Sequence, residues 1–509
     1  MTPAAVGEIP ARWAARDPAR LALTDGAREF SWGALEEARL EMARRLQDLG
    51  VRAGDRVMVI GENAPEMALL LLAVPSLGAW VVNVNARLSS REIAAIREHC
   101  GARRVVYLTG VSVDARQHAQ ADVDAGEFAL EGWGALAISA SNDKAHPEPV
   151  TGDPAQDVAA LLYTTGTTGQ PKGVMLTHAN LLFIANSSTV LRGLRPEDRV
   201  YGLLPLSHVY GMASVCLGSL AAGTSLHFQP RFAPAATAAF IRRQRLTVCQ
   251  GVPAMYAKLV EHLRGAGEST FGPSALRFLY AGGSPLSLAL KHEVESFFGL
   301  TLHNGYGLTE ASPTLTQTRF DAPRDDCSVG PAIPGVALRL VGPDGGDVPE
   351  GAVGELWAKG PNVMKGYYRD PRATAAAIRD GEWLATGDLA RRDATGSYFI
   401  EGRAKELIIR SGFNVFPVEV ESVLNAHPAV TQSAVVGRPA HGNEEVVAFV
   451  ELAPGALASV EELAAHCAAA LAPYKRPSEI VILQSLPAAP SGKILKGQLA
   501  KLAREGAPG

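Results

Sequence analysis

Short aliphatic and β-branched runs recur through the N-terminal part of the chain: RVMVIG (56–61), RRVVYL (103–108), AALLYT (159–164), LRFLYAGG (276–283) and TLHNGYG (301–307). Apolar stretches of helical length lie between most of them, such as LALKHEVESFF (288–298). Strands that alternate with helices leave few packing solutions. They predict an α/β protein with largely parallel sheets covered by helices. The run ending in Gly282 and Gly283 matters for function, because ligands of such sheets sit beyond the carboxyl ends of strands.

The pattern changes after about residue 320. ALRLVGPDGGDVPEGAVGELWAKG reads as short strands separated by Gly, Pro and Asp turns, which predicts an antiparallel β subdomain. It changes again near GRAKELIIRSG (402–412). Beyond lie AVTQSAVVGRP, VVAFVEL and EIVILQSLP as strands and an Ala-rich helix at 459–472, the makings of a separate C-terminal α+β unit. A chain of 509 residues exceeds one ordinary core. The expected division is 1–402 and 403–509.

Several function classes drop out early. The net charge is −4 with no basic stripe, so nucleic acid is not an expected partner. The five cysteines form no CxxC pair and read as reduced, buried thiols. The N-terminus lacks a signal-peptide apolar core. The longest apolar run, MALLLLAVPSLGAWVVNV (67–84), is interrupted at Pro75, Ser76 and Gly78. It predicts a buried helix ending near Pro75 and then a strand rather than a membrane span of about 20 residues. The expected location is the cytoplasm.

The stretch YTTGTTGQPKGVMLTH (163–178) crowds threonines, glycines and a lysine together. Glycines let a backbone wrap an anion closely, successive N–H groups form an anion-binding concavity, and threonine hydroxyls add donors. The stretch reads as a polyphosphate clamp. The alternative is a flexible Gly/Thr turn between a strand and a helix starting near His178. Neither GxxxxGK[ST] nor GxSxG occurs, which argues against a P-loop kinase and a serine hydrolase.

YTTGTTGQPKGV resembles the phosphate-loop signature of the adenylate-forming enzymes: acyl- and aryl-CoA ligases, peptide-synthetase adenylation domains and luciferases. NGYGLTEAS (304–312), TGDLA (386–390), GRAKELIIRSGFNVFPVEVE (402–421), PYKRP (473–477) and PSGKILK (490–496) are similar to that family's further motifs, in the family's order. The resemblance spans essentially the whole chain. It implies the adenylate-forming enzyme fold: an α/β architecture with a large N-terminal domain of parallel-type α/β subdomains plus a β subdomain, and a small mobile C-terminal α+β domain. It also implies the reaction. A carboxylate attacks the α-phosphorus of ATP, giving an acyl adenylate and pyrophosphate, and a thiol, usually that of coenzyme A, then displaces AMP.

The resemblance assigns roles residue by residue. Lys493 reaches between the substrate carboxylate and the α-phosphate, where a cation about 4 Å from an anion is worth around 4 kcal/mol at an effective dielectric of 20. Glu310 holds Mg²⁺, an ion usually bound by one or two carboxylates plus substrate phosphates. Thr309 donates to the α-phosphate. Thr164, Thr165, Gly166, Thr167, Thr168, Gly169 and Lys172 form the clamp. Gly282, Gly283, Ser284, Asn304, Gly305, Tyr306 and Gly307 surround the nucleotide, with Tyr306 near the adenine. Asp388 takes the ribose hydroxyls with help from Arg403. Lys405 marks the hinge, and Ser411, Gly412 and Phe413 line the coenzyme A channel. GYGLTE also resembles an incomplete dinucleotide fingerprint, but Glu310 stands where its third glycine belongs. Glu406 and Lys496 replace the commoner aspartate and arginine and keep their charge.

The acyl pocket is assigned to His208, Val209, Tyr210, Gly211, Gly283, Gly305, Pro313 and Thr314, mostly small or apolar. His208 reads as a gate between the ATP and acyl sites or, alternatively, as a core histidine. Relatives that take malonate carry arginine where this chain has Gly305, which disfavours a second carboxylate. The expected substrate is a fatty or cinnamate-like aromatic monocarboxylic acid. The expected acceptor is coenzyme A, since no carrier domain is attached, and a separate carrier protein remains the alternative. Monomer and homodimer both stay open.

Overall fold

The computed structural model describes residues 3–165, 171–411, 413–440, 443–488 and 494–505. Two eight-stranded sheets form the large N-terminal domain. In one, Arg56–Gly61 is flanked in parallel by Trp80–Asn85 and Arg104–Tyr107, and Val158–Thr165 follows beyond Trp80–Asn85. All six residues of Arg56–Gly61 are buried, as a central parallel strand requires. In the other, Arg199–Gly202, Val248–Gly251, Phe278–Ala281 and Leu302–Gly307 run in parallel order, and Thr314–Gln317 closes the edge antiparallel. One continuous apolar core lies between the two sheets and includes helix Pro65–Ser76, buried along nearly its whole length.

The Gly/Thr stretch differs from the alternative reading of a turn running directly from a strand into a helix. Strand Val158–Thr165 is followed by a second strand, Pro171–Thr177, paired antiparallel with it so that Thr164 lies opposite Lys172. The helix starts only at His178, where the Thr177 side chain and Asn180 form a capping box. The stretch therefore joins two strands, and its residues 166–170 lie outside the described ones.

The predicted β subdomain is a five-stranded antiparallel sheet of Ala337–Val341, Gly354–Lys359, Trp383–Arg392, Ile378–Arg379 and Tyr398–Arg403. The small C-terminal domain contains hairpin Ile408–Arg410 with Phe413–Val415, and a three-stranded sheet of Val430–Ala440, Asn443–Leu452 and Glu479–Leu483. Helices Pro417–Asn425, Val460–Ala470 and Lys496–Glu505 pack on it around cores of their own. All five cysteines are free, and all but Cys327 are buried. Among the described residues no helix is long and apolar enough to cross a membrane.

Candidate active site

Asp388 lies on Trp383–Arg392, whose alternating burial turns every second residue inward and leaves Asp388 only 3% exposed. Across the hairpin it pairs in register with Arg403, whose Nε lies 2.7 Å from the carboxylate. The Tyr306 hydroxyl, from the neighbouring α/β sheet, donates to the other carboxylate oxygen. Burial and then the Asp388 charge push the Tyr306 phenol well above its ordinary range. Burial, the largest single effect, would lower the Arg403 pKa; Asp388, Tyr306, Glu406 and Glu310 together outweigh it and the net shift is upward. TGDLA, NGYG and GRAKE thus meet at one fixed charge.

The short turn Thr309–Ala311 presents Glu310, whose Oε1 accepts from the Tyr367 hydroxyl at 2.7 Å. Tyr367 belongs to Gly366–Tyr367, which pairs antiparallel with Pro171–Thr177. The Lys172 Nζ lies 4.9 Å from the centre of the same ring. One tyrosine thus ties the loop's lysine to the candidate metal carboxylate. Burial, then Glu310, raise the Tyr367 pKa. No hydrogen bond to Glu310 Oε2 occurs among the described residues, so that oxygen fits a hard cation such as Mg²⁺. A cavity of about 650 Å³ adjoins this corner, lined by Lys172, Tyr367, Thr386, Gly387, Arg403 and Lys405 among others. Desolvation and then Arg403 lower the Lys405 pKa. Four cations line the cavity, Lys172, Arg379, Arg403 and Lys405, against two carboxylates, Glu355 and Asp380, and the positive excess suits an anionic ligand.

Beyond strand Phe278–Ala281, Gly283 adopts φ +83°, a conformation that favours glycine. A Cβ on Gly282 would stand 3.3 Å from the Tyr210 ring. Ser284 follows, half-buried. Asn304 is held through donations to the Cys327 and Ser328 carbonyls at 3.3 and 3.2 Å. The His208 Nδ1 accepts from the Tyr210 backbone N–H at 3.3 Å. Tyr210–Leu217 forms a π-helical turn, a rare geometry that is frequent at functional sites. Val209 and Tyr210 are buried, and Gly211 is packed so closely that a Cβ would lie 2.3 Å from the Pro205 carbonyl. Thr314, which follows Pro313, places its Oγ1 3.2 Å from Ser214.

The expected lining is small and apolar, but the same region holds buried polar residues that the sequence reading passed over: Arg192, Gln250 and Gln317. Tyr367 was passed over too; its signal is its place beside the strand that carries Lys172. In the C-terminal domain the Ser411 N–H donates to Asn443 at 2.6 Å, and Phe413 stacks on Tyr474 with 4.6 Å between ring centres. Lys496 pairs with Glu421 at 2.7 Å and Glu406 at 3.4 Å, so the two charge-conserving departures face each other. Gly166, Thr167, Thr168, Gly169, Gly412 and Lys493 lie outside the described residues.

Residues 10–368 match the family model described as AMP-binding enzyme, and residues 419–493 match that of the AMP-binding enzyme C-terminal domain. The chain is 35% identical over 498 residues to a feruloyl-CoA synthase of Amycolatopsis sp., covering 97% of this chain and 98% of that protein. Among solved structures, the anthranilate CoA ligase AuaEII in complex with anthranoyl-AMP superposes with a TM-score of 0.87 at 27% identity, over 98% of this chain and 97% of that one. ATP-bound MatB from Rhodopseudomonas palustris superposes with a TM-score of 0.84 at 30% identity, over 98% and 99%.

Proposed function

Because the chain belongs to the AMP-binding enzyme family, we propose that it is an ATP-dependent carboxylic acid–CoA ligase whose acid is of the fatty or cinnamate-like aromatic monocarboxylic kind. The observation that carries the reading is the clasp of Tyr306 and Arg403 on Asp388, beside the pair of Glu310 and Tyr367. A carboxylate so held accepts from two vicinal hydroxyls, as a ribose offers. The relatives named for feruloyl and anthranilate acids favour the aromatic arm of the substrate reading.

In the first half-reaction one carboxylate oxygen of the acid bonds to the α-phosphorus of ATP and the bond to pyrophosphate breaks. Charge grows on the phosphate oxygens as two anions approach, so the site needs cations and dipoles aimed there. Lys493, Thr309 and the 164–172 loop are assigned that work, with Lys172 at its rim. Mg²⁺ held by Glu310 would supply further neutralisation of phosphate charge. His208 is assigned the gate between nucleotide and acyl pocket, and Tyr210 a place in the pocket's lining. In the second half-reaction the coenzyme A sulfur bonds to the acyl carbon, and AMP leaves with the electron pair of the broken anhydride bond.

We divide the chain at 402/403, with Lys405 as hinge and Ser411 to Phe413 lining the thiol's path. The support is that the apolar cores of the last hundred residues share no member with those before. The free thiols favour a cytoplasmic setting.

The test is a panel of carboxylic acids scored separately for pyrophosphate release and for thioester formation with coenzyme A. A response confined to dicarboxylates or amino acids overturns the substrate reading. Pyrophosphate release without a coenzyme A thioester points to a carrier-protein acceptor.

A further inference from the structure

Arg192, which caps the C-terminal end of helix His178–Leu191, is completely buried. Its guanidinium lies 4.7 Å from the centre of the Tyr280 ring. Nε donates to Gln317 Oε1 at 3.3 Å and Nη1 to the Ser214 carbonyl at 3.0 Å. Apart from the Tyr280 phenol, which the guanidinium also approaches, Nη2 has no hydrogen-bond partner, and no carboxylate pairs with the group among the described residues. Other unmatched groups share the region. Among the described residues, both amide atoms of fully buried Gln250 lack partners, as do Gln317 Nε2 and the Tyr210 hydroxyl. Buried polar groups are ordinarily matched, and a buried guanidinium without a counter-charge is especially unfavourable.

Strand register gathers these residues on one face. Gln250 lies beside Tyr280, and Gln317 opposite Gly305. A Cβ on Gly305 would stand 2.0 Å from the Tyr280 hydroxyl, so Tyr280 fills the space a side chain there would take. Ser214, whose carbonyl Arg192 binds, touches Thr314 through its hydroxyl. Gly305, Tyr210 and Thr314 are acyl-pocket candidates, and Arg192 packs against their neighbours Tyr280 and Ser214.

We propose that Arg192 is a specificity-determining residue: the acid carries a hydrogen-bond-accepting oxygen at the end remote from its reacting carboxylate, and the guanidinium receives it together with the Gln250 and Gln317 amides. The inference rests on the ligase reading of this site. Nη2 and Gln317 Nε2 can only donate, while Gln250 offers both a donor and an acceptor. Such a set suits a ring hydroxyl or an alkoxy oxygen, and leaves the methyl end of an unsubstituted tail facing unsatisfied donors. A site built around buried polar groups rejects the analogue that lacks the matching group, because the groups then stay unpaired.

The experiment uses the full chain with ATP, Mg²⁺ and coenzyme A. It compares kcat/KM for cinnamate with its 4-hydroxy, 4-methoxy and 4-carboxy derivatives, and for hexanoate with 6-hydroxyhexanoate and hexanedioate. The expected result is an advantage of at least about tenfold for a hydroxy or methoxy acid over its parent; a gain confined to the carboxy acids overturns this inference and the monocarboxylic reading. Arg192→Met should shrink that ratio. Gln250→Met removes an amide that has no partner, so it should fold at least as stably and also shrink the ratio. Equal use of parent and oxygenated acids, or an equal loss on all acids in both variants, overturns the inference and leaves the ligase reading intact. Pyrophosphate release with none of the acids overturns the ligase reading and this inference with it.

Discussion

Arg403 and Asp388 face each other in register across two antiparallel strands, 2.7 Å apart, and the Tyr306 hydroxyl closes the same carboxylate from a different sheet. Asp388→Asn keeps the shape and removes the charge. Hydrogen bonds to charged groups contribute about 1.5–3 kcal/mol, so the KM for ATP should rise roughly 10- to 100-fold. Tyr306→Phe should cost less, because Arg403 still compensates the carboxylate. Steady-state titration of ATP at saturating acid checks both; an unchanged KM in the Asn variant would remove Asp388 from nucleotide binding.

Tyr367 donates to Glu310 and carries Lys172 over its ring. Tyr367→Phe preserves the ring and deletes the donor. A hydrogen bond to a carboxylate is worth about 1.5–3 kcal/mol, and its loss leaves Glu310 less well placed. The Mg²⁺ concentration for half-maximal pyrophosphate release should therefore move severalfold. Glu310→Gln should move it further and lower the rate at saturating metal. Superimposable metal titrations for wild type and Phe variant would show that Tyr367 only packs.

The buried thiols make stability fall at alkaline pH. Burial raises Cys100 and Cys249 to about 12 each, against an unfolded value of about 8.5. A group raised in the folded state contributes fully below its unfolded pKa and loses that contribution as pH rises toward its folded one. Between about 8.5 and 12 the unfolded chain sheds these protons while the folded chain keeps them, so each thiol lowers stability by up to about 1.4 kcal/mol per pH unit. Urea midpoints should be flat to about pH 8 and decline above it. The double variant Cys100→Ala with Cys249→Ala should show a shallower decline, whatever its stability at neutral pH. Equal slopes would contradict the assignment.

Much of this fold is written locally. RVMVIG forms a strand over the six residues the sequence marks, and LALKHEVESFF a helix with Ser287 as its cap. Strand Pro171–Thr177 was harder to foresee, because Gly, Pro and Lys mask its alternation and the helix signal at Thr177 draws attention past it. The candidate site was legible where several motifs converge, as Tyr306 and Arg403 do on Asp388. Arg192 was not. A single arginine after a helix reads as solvated surface, and only packing against Gln317, 125 residues away, makes it interior. Tyr367 escaped for the same reason: its partner Glu310 is near it in space and not in sequence.

Gly305 is an acyl-pocket candidate whose neighbours also bear on stability. No positive φ forces glycine there; the constraint is volume. A Cβ would lie 2.0 Å from the Tyr280 hydroxyl and 2.7 Å from the Thr316 carbonyl. The tyrosine cannot swing away freely, since Arg192 covers its ring and Tyr210 stands 6.0 Å off at an angle. Gly305→Ala should therefore destabilise by about 1–3 kcal/mol, the usual range for overpacking. Tyr280→Phe removes the colliding oxygen but leaves the ring carbon that bore it 3.0 Å from the new methyl, so in the Gly305→Ala background it should recover part of the loss. The two changes should then couple in a double-mutant cycle of urea midpoints, with the double variant more stable than the sum of the single effects predicts. Strict additivity would show that the hydroxyl does not occupy the space above Gly305, and the account of the pocket floor would lose its geometry.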